Sequence, residues 1–317
     1  MRITERAHPA SAKLETRPAS KILEIINRED QHVARAVKKV LPQIARAVDA
    51  ASRAIREGGR LIYLGAGTSG RLGVLDAAEC IPTFGTTSVV GVLAGGRRAL
   101  ARPVEAVEDK PALAVRDLKR LRLTRRGALV GISAGGTTPY TLGGLRYARR
   151  LGAKTVALTS NPRAPIIRAA DVAIVPVVGP EVVAGSTRMK AGTAAKLVLN
   201  MLSTATMIRL GRTYSHWMIN LRMTNRKLRH RGLEILWRAG GIRKAAAAAK
   251  LRQAGEQLPV ALLMLWKNIP RQEAARLLRG GKNIAEVLRE AQAGFLAGKS
   301  RARRARSRDG RRKAVAR

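Results

Sequence analysis

Apolar residues between Ser20 and Glu57 recur at intervals of three and four, so that Val33, Val37, Val40, Leu41, Ile44, Val48 and Ile55 fall on one helical face. The pattern predicts helices over SKILEIINRED and QHVARAVKKVLPQIARAVDAASRAIREG, stopped by Gly58 and Gly59. From Leu61 the rhythm changes to short continuous apolar runs separated by helical stretches. Leu61–Leu64, Val89–Leu93, Ala128–Ile132, Thr155–Thr159 and Val172–Pro176 predict buried strands. Helices are predicted between them over Arg71–Ala78, Arg98 onwards through Glu105, Ala112–Leu121, Thr141–Leu151 and Pro165–Ala170. Such alternation indicates an α/β fold, a doubly wound parallel sheet of five strands, with ligands at the carboxyl ends of the strands.

Long helices follow over about Ser186–Leu210 and Met218–Arg238. Beyond Gly240 and Gly241 the segments IRKAAAAAKLRQAG, LPVALLMLWKN and PRQEAARLLRGGKNIAEVLREA read as a small C-terminal helical region. The expected organisation is therefore an N-terminal helical segment (1–58), an α/β domain (59–238), a small helical domain (239–296) and a basic disordered tail (297–317).

Composition narrows this picture. Aromatics make up only 3% of the 317 residues, so the core rests on Ala, Val, Leu and Ile, a composition suited to helices on a parallel sheet. The single cysteine, Cys80, excludes an internal disulfide framework and a Cys-based zinc cluster, and points to a reducing compartment. His8, His32, His216 and His230 show no metal-ligand spacing, so no metal is assigned. The N-terminus has charges and prolines where a signal peptide needs an apolar core, and no run approaches the length of a membrane span; a cytoplasmic protein with no membrane partner is expected. The formal charge of +40 is concentrated partly in Lys299–Arg317, which holds ten Lys or Arg against one Asp. Nonspecific nucleic-acid contact by this tail is expected at low salt, rather than a dedicated binding surface.

Candidate chemistry begins in RLIYLGAGTSGRLG, where Gly65, Gly67 and Gly70 form a G-x-G-x-x-G directly after the first apolar run. A glycine-rich turn into a helix presents backbone N–H groups and partial positive charge to a phosphate. A dinucleotide would also need a carboxylate at the end of the next strand, but Ala94-Gly95-Gly96 stands there. The hydroxyls of Thr68 and Ser69 suit the three exposed oxygens of a phosphate monoester instead. A second loop, Ser133-Ala134-Gly135-Gly136-Thr137-Thr138-Pro139, is likewise small and hydroxyl-rich, and Ser133, Thr137 and Thr138 are further candidate ligands. The third cluster is Gly185-Ser186-Thr187-Arg188-Met189-Lys190, in which Ser186 and Thr187 are good helix caps and Lys190 suits an anion.

Carboxylates are scarce, 21 against 61 cations, so their positions carry information. Glu79 stands among Ala77, Ala78 and Cys80, an apolar setting suited to a proton donor. Glu105 and Glu108 are three apart in ARPVEAVEDK, on one predicted helical face, with Glu105 read as a solvated charge.

In combination, GRLIYLGAGTSGRLGVLDAAECIPTFG, PVEAVED and VVGPEVVAGSTRMKAGTAAKLVLNMLST resemble the N-acetylmuramic acid 6-phosphate etherases, members of the sugar isomerase (SIS) fold superfamily. The likeness runs from Ile3-Thr4-Glu5 through ILEIINRED, VLPQIARAVD and TNRKL to the C-terminal helices, leaving out only the basic tail. It implies a cofactor-free lyase that removes D-lactate from the C3 ether of its phosphorylated amino sugar, giving N-acetylglucosamine 6-phosphate. By motif, its two glutamates fall on Glu79 in DAAEC and Glu108 in PVEAVED. Glu79 is assigned as acid to the ether oxygen and Glu108 as base at C2, the sequence leaving the reverse order open. Gly67, Thr68, Ser69 and Gly70 would hold the 6-phosphate. The superfamily also implies a homodimer.

Departures from the family pattern lie elsewhere. The second loop is typically A-A-S-G-R-T-P-Y, so Gly135 and Thr137 replace a serine and an arginine. Farther on, His216 and Asn220 replace an asparagine and an aspartate, and Ile81 stands where proline is usual. A non-catalytic phosphosugar-binding regulator and a phosphosugar isomerase are the alternatives at this level.

Overall fold

The computed structural model describes residues 3–104, 106–279 and 283–297. Glu105 and the basic stretch Lys299–Arg317 lie outside them. The chain forms two compact units, one comprising residues up to Cys80 together with Thr86–Thr206, the other Ile81–Gly85 together with the residues from Met207.

The first unit opens with short 3₁₀ turns (Ile3–Glu5, Pro9–Ser11 and Leu14–Thr16), followed by α1 (Ala19–Lys38) and α2 (Leu41–Arg56). The three-and-four periodicity places most of its face as predicted: Val33, Val37, Val40, Ile44 and Val48 are buried, whereas Leu41, at the start of α2, is exposed. Apart from Glu29, the charged residues of both helices face solvent. Next come β1 (Leu61–Gly65), α3 (Gly67–Phe84), β2 (Val89–Leu93), α4 (Arg98–Ala101), α5 (Pro111–Arg120), β3 (Ala128–Ile132), α6 (Pro139–Arg150), β4 (Lys154–Leu158), β5 (Val172–Ile174) and α7 (Lys190–Arg209). All four strand pairings are parallel, in the order β2-β1-β3-β4-β5, with Leu61 level with Val89 on one side and Ala128 on the other. Every residue of β1 and β3 is buried, which explains why these strands read as continuous apolar runs rather than as alternation. Ile62, Leu64 and Leu129 share a core with Ala114 and Leu118 of α5 and Leu145 of α6. Tyr63, between them in sequence and so on the other sheet face, lies beneath Gly73 of α3.

Under α3 sits a buried polar group. Asp76 is 3% exposed, with Oδ1 3.8 Å from Lys196 Nζ, and has Tyr63, Ser203 and Cys80 as its other neighbours. Burial raises the Asp76 carboxyl above its ordinary value, although Ser203, Tyr63 and Lys196 oppose the shift. Burial and the nearby Asp76 push the Cys80 thiol up to about 12, so this cysteine is unreactive packing.

Four expected elements differ. The helix expected from Arg98 through Glu105 ends at Ala101: Arg102 is extended before Pro103, and Ala106 has φ of 58°. Glu108 accordingly stands in a turn and not on a helical face. Pro165–Ala169 is a 3₁₀ segment rather than an α-helix. The helix expected from Ser186 starts at Lys190. The one expected from Met218 becomes α8 (Arg226–Gly240), because Asn225 takes an extended conformation and its side chain accepts the Leu228 N–H, fixing the start there.

In the second unit, α8, α9 (Lys244–Gln253), α10 (Leu258–Lys267), α11 (Arg271–Arg279) and α12 (284–297) pack around Leu236, Leu251, Leu262 and Leu288. Helix α10 is buried from Leu258 to Met264 and again at Trp266, so it lacks a polar face and forms the centre of this unit. No described helix is long and apolar enough to cross a membrane.

Candidate functional site

The chain leaves β1 for β2 on one side and later returns to place β3 on the other. This reversal opens a crevice at the carboxyl ends of β1 and β3, where ligands of doubly wound sheets bind. The two glycine-rich loops of the sequence flank that crevice.

In the first loop α3 begins at Gly67, so Gly67, Thr68, Ser69 and Gly70 occupy its first turn, where the N–H groups of Gly67, Thr68 and Ser69 precede the first helical bond. Gly67 has φ of 50° and an exposed backbone, and a methyl group added there would meet nothing within 4 Å. Thr68 and Ser69 are half-buried; Gly70 is buried and donates its N–H to the Ala66 carbonyl at 3.1 Å.

The second loop is tied to itself and to the loop after β4. Ser133 Oγ accepts the Gly136 N–H at 3.1 Å and lies 2.9 Å from Thr138 Oγ1. Thr159 Oγ1 donates to the Ala134 carbonyl at 2.9 Å, and Asn161 Nδ2 donates to the Gly135 carbonyl at 3.2 Å. Gly135 and Thr137 thus belong to a loop whose shape is set by main-chain contacts. Ser133 is buried and spends its hydroxyl inside the loop; Thr137 and Thr138 are half-buried.

The third cluster reaches the first. A methyl group on Gly192 would lie 3.4 Å from the Thr187 carbonyl and 3.6 Å from Thr68 Cγ2. A small pocket is lined by Ser69, Ala134, Thr159, Ser160, Thr187 and Gly192, among others, and so brings all three clusters together at the strand ends. Ser186 and Thr187 do not cap α7. Its first amides, those of Lys190 and Ala191, donate to the two oxygens of Glu181 at 3.0 and 2.9 Å. Glu181 is wholly buried, and burial raises its carboxyl although those amides and Lys190 pull it down. Lys190, expected to face an anion, is also buried, with its ammonium 2.7 Å from Glu29 Oε2.

Both carboxylates expected to carry chemistry are exposed in the single chain. In α3, Ala77 and Cys80 turn inward whereas Ala78 and Glu79 turn outward, so the apolar setting expected around Glu79 is absent within one copy. Glu108 is held by its backbone: its carbonyl accepts the N–H of Tyr140, in the first turn of α6 just beyond the second loop, at 2.9 Å. Tyr140 is fixed in turn by its hydroxyl, which donates to Asp117 at 2.9 Å. Of the three divergent positions in the second unit, Asn220 donates through Nδ2 to the Arg212 carbonyl at 3.2 Å, a bond an aspartate could not make, His216 packs on Trp217 at 4.2 Å between ring centroids, and Ile81 is half-buried near the end of α3. Among the described residues no group of three or more His, Cys, Asp or Glu is placed to hold a metal.

Sequence reasoning passed over Glu29, Glu181 and the Thr159-Ser160-Asn161 turn. The scarcity of carboxylates was a usable signal for Glu181, an isolated acid in the apolar stretch VVGPEVVAG.

Residues 43–149 match the glucokinase regulatory protein N-terminal SIS domain, and residues 99–205 match the SIS domain. The chain is 52% identical over 278 residues to an N-acetylmuramic acid 6-phosphate etherase of Edwardsiella ictaluri (strain 93-146), an alignment covering 87% of this chain and 93% of that protein. It is 50% identical over 279 residues to one of Yersinia pestis (strain Pestoides F), covering 87% and 95%. Among solved structures, a phosphoheptose isomerase from Francisella tularensis aligns with a TM-score of 0.48 at 18% identity, over 60% of this chain and 97% of that one.

Proposed function

The chain belongs to the N-acetylmuramic acid 6-phosphate etherase family, and we propose that it cleaves its substrate's lactyl ether by elimination and hydration, with Glu79 and Glu108 as the proton-transfer groups. The observation that carries this reading is 52% identity extending over 87% of the chain. The products are N-acetylglucosamine 6-phosphate and D-lactate.

The chemistry accounts for the need for two carboxylates. In the open-chain aldehyde the proton on C2 is acidified by the adjacent carbonyl, and Glu108 as carboxylate removes it. The electron pair forms the C2–C3 double bond, the C3–O bond breaks, and Glu79 as carboxylic acid delivers its proton to the departing lactate oxygen. The roles then reverse. Glu79, now a carboxylate, takes a proton from the water that adds to C3, and Glu108 returns its proton to C2. No electrons are transferred to or from the protein, so the cycle closes without a redox cofactor.

Thr68, Ser69 and the amide at Gly67 hold the 6-phosphate, beside Thr187, which lines the same pocket as Ser69; the Gly70 amide is already bonded to the Ala66 carbonyl and shapes the turn instead. Ser133, Thr137, Thr138 and Ser186 line or shape the surrounding loops. Binding energy from the phosphate then positions C2 and C3 for proton transfer. The cationic chain favours the approach of a substrate bearing both a phosphate and a carboxylate. Two copies of the chain are the assembly we expect, since Leu75 of α3 and Met201 of α7 expose large apolar side chains. A partner's surface over α3 would also supply the shielding that Glu79 lacks in one copy. We place the reaction in the cytoplasm, in keeping with the single unpaired thiol at Cys80, and in the recycling of peptidoglycan amino sugars. Contact of the Lys299–Arg317 stretch with nucleic acid is a secondary, salt-sensitive property.

Isotopes test the mechanism. In heavy water enriched in ¹⁸O, the amino-sugar product should carry deuterium at C2 and ¹⁸O at C3, and the lactate should carry no ¹⁸O on its C2 oxygen. Label on that lactate oxygen would mean cleavage on the lactyl side and would rule out elimination at the sugar.

A further inference from the structure

Three side chains from distant parts of the sequence meet behind the third cluster. Glu29 Oε2 lies 3.0 Å from His8 Nε2 and 2.7 Å from Lys190 Nζ. Their side chains are 14, 10 and 2% exposed, so the contacts are largely withdrawn from water. His8 Nδ1 accepts the Ala10 N–H at 3.2 Å, which leaves the Nε2 proton to be donated to Glu29 even when the imidazole is neutral. Burial alone would raise Glu29, but the hydrogen bonds and charges of Lys190 and His8 prevail and its carboxyl lies below its ordinary value.

These contacts converge on one loop. Lys190 is held at its main-chain N–H by Glu181 and at its ammonium by Glu29, so the loop 183–189 is fixed at its end. Its middle is fixed as well, because the Gly185 N–H donates to the Thr4 carbonyl at 2.9 Å and Thr4 is fully buried. The loop carries Thr187, which lines the pocket with Ser69. Stability alone is a poor explanation for this arrangement, since buried ion pairs commonly do no better than apolar packing. What apolar packing would lack is the directional tie between the N-terminal segment and Lys190.

We infer that His8, Glu29 and Lys190 are positioning residues through which the N-terminal segment fixes the loop 183–189 against the substrate pocket. They act through Thr187 and do not touch the reacting carbons. The inference rests on the reading that this pocket takes the phosphate of the sugar, and it is tested both with and without substrate.

In the full-length protein, Glu29→Gln removes the charge while keeping the shape. Loss of the charge-assisted bond to Lys190 should raise KM about tenfold or more with kcat changed by less than about threefold. Amide hydrogen exchange, measured without substrate, should quicken in 3–17 and 183–189 and stay unchanged in β1 and β3. Adding Lys190→Met to Glu29→Gln should raise KM little further, because the pair is already broken. His8→Gln, which keeps a donor, should retain more of the wild-type KM than His8→Ala. Should Glu29→Gln fail to fold, the two His8 variants decide the matter at the periphery of the chain of contacts. Wild-type KM and wild-type loop exchange in Glu29→Gln would overturn the inference, as would faster exchange spread evenly over the first unit. If the wild type releases no lactate, the etherase reading fails on its own, and the exchange experiment still decides whether the loop is held as described.

Discussion

Replacing Gly136 with alanine probes the second loop. Gly136 has φ of 72°, and its added methyl would stand 2.3 Å from Ala164 Cβ, 2.8 Å from Thr159 Oγ1 and 3.0 Å from Ile166 Cγ2. The left-handed backbone costs alanine about 1–2 kcal/mol. Relief of the clash must move either the loop or Ala164, and overpacking of this kind costs about 1–3 kcal/mol more, for a total of about 2–5 kcal/mol. Gly67→Ala is the matched comparison: φ is 50° but nothing lies within 4 Å, so only the backbone cost of about 1–2 kcal/mol applies. All three tryptophans, Trp217, Trp237 and Trp266, belong to the second unit, so their fluorescence is blind to this loop. Denaturant unfolding should therefore be followed by circular dichroism, with the tyrosines Tyr63, Tyr140 and Tyr147 reporting the first unit in the near ultraviolet. Gly136→Ala should be the less stable variant by about 1–3 kcal/mol, the overpacking share, and should raise KM because Ser133 accepts the Gly136 N–H and is in turn bonded to Thr138. Equal destabilisation of the two variants would refute the steric reasoning and show that only the backbone matters.

Other expectations concern the first loop and the buried acids. Thr68→Val and Ser69→Ala should each lower kcat/KM about tenfold or more, mainly through KM, because each removes a donor to a dianionic phosphate; unchanged steady-state constants would move the phosphate elsewhere. Asp76, with its carboxyl raised, contributes stability present below the unfolded value of 3.8 and lost as pH rises through its folded value. Asp76→Asn should therefore gain on the wild type as pH rises, and a pH-independent offset in paired urea titrations would contradict the assignment. Glu29 has the opposite sign: its lowered carboxyl contributes stability present above 4.5 and lost as pH falls through its folded value. Glu29→Gln should gain on the wild type towards acid pH, and the same titrations check it.

The sheet was legible because β1 and β3 are buried on both faces and leave uninterrupted apolar runs, so the strands fall within a residue or two of their expected ends. Both glycine-rich loops were legible for a local reason too: small residues and hydroxyls stand directly at strand ends. What escaped notice depends on distant partners. Ser186 and Thr187 have the chemistry of caps, but the cap of α7 comes from Glu181, nine and ten residues before the amides it accepts. Lys190 has the chemistry of an anion ligand, yet its carboxylate partner lies 161 residues away. No sequence window contains both groups, and a lysine looks the same whether it faces a substrate or Glu29. Glu108 was read on a helix because ARPVEAVEDK has helical composition, whereas Pro103 and the positive φ of Ala106 break that segment.

The central claim is that Glu79 and Glu108 carry the cleavage, and its most direct test is D-lactate release from N-acetylmuramic acid 6-phosphate by the wild type, Glu79→Gln and Glu108→Gln. Loss of one general acid or base should slow release about 10²–10⁴-fold in each variant, while binding of the sugar phosphate persists. Release by either variant at the wild-type rate would remove that glutamate from the reaction and contradict the account.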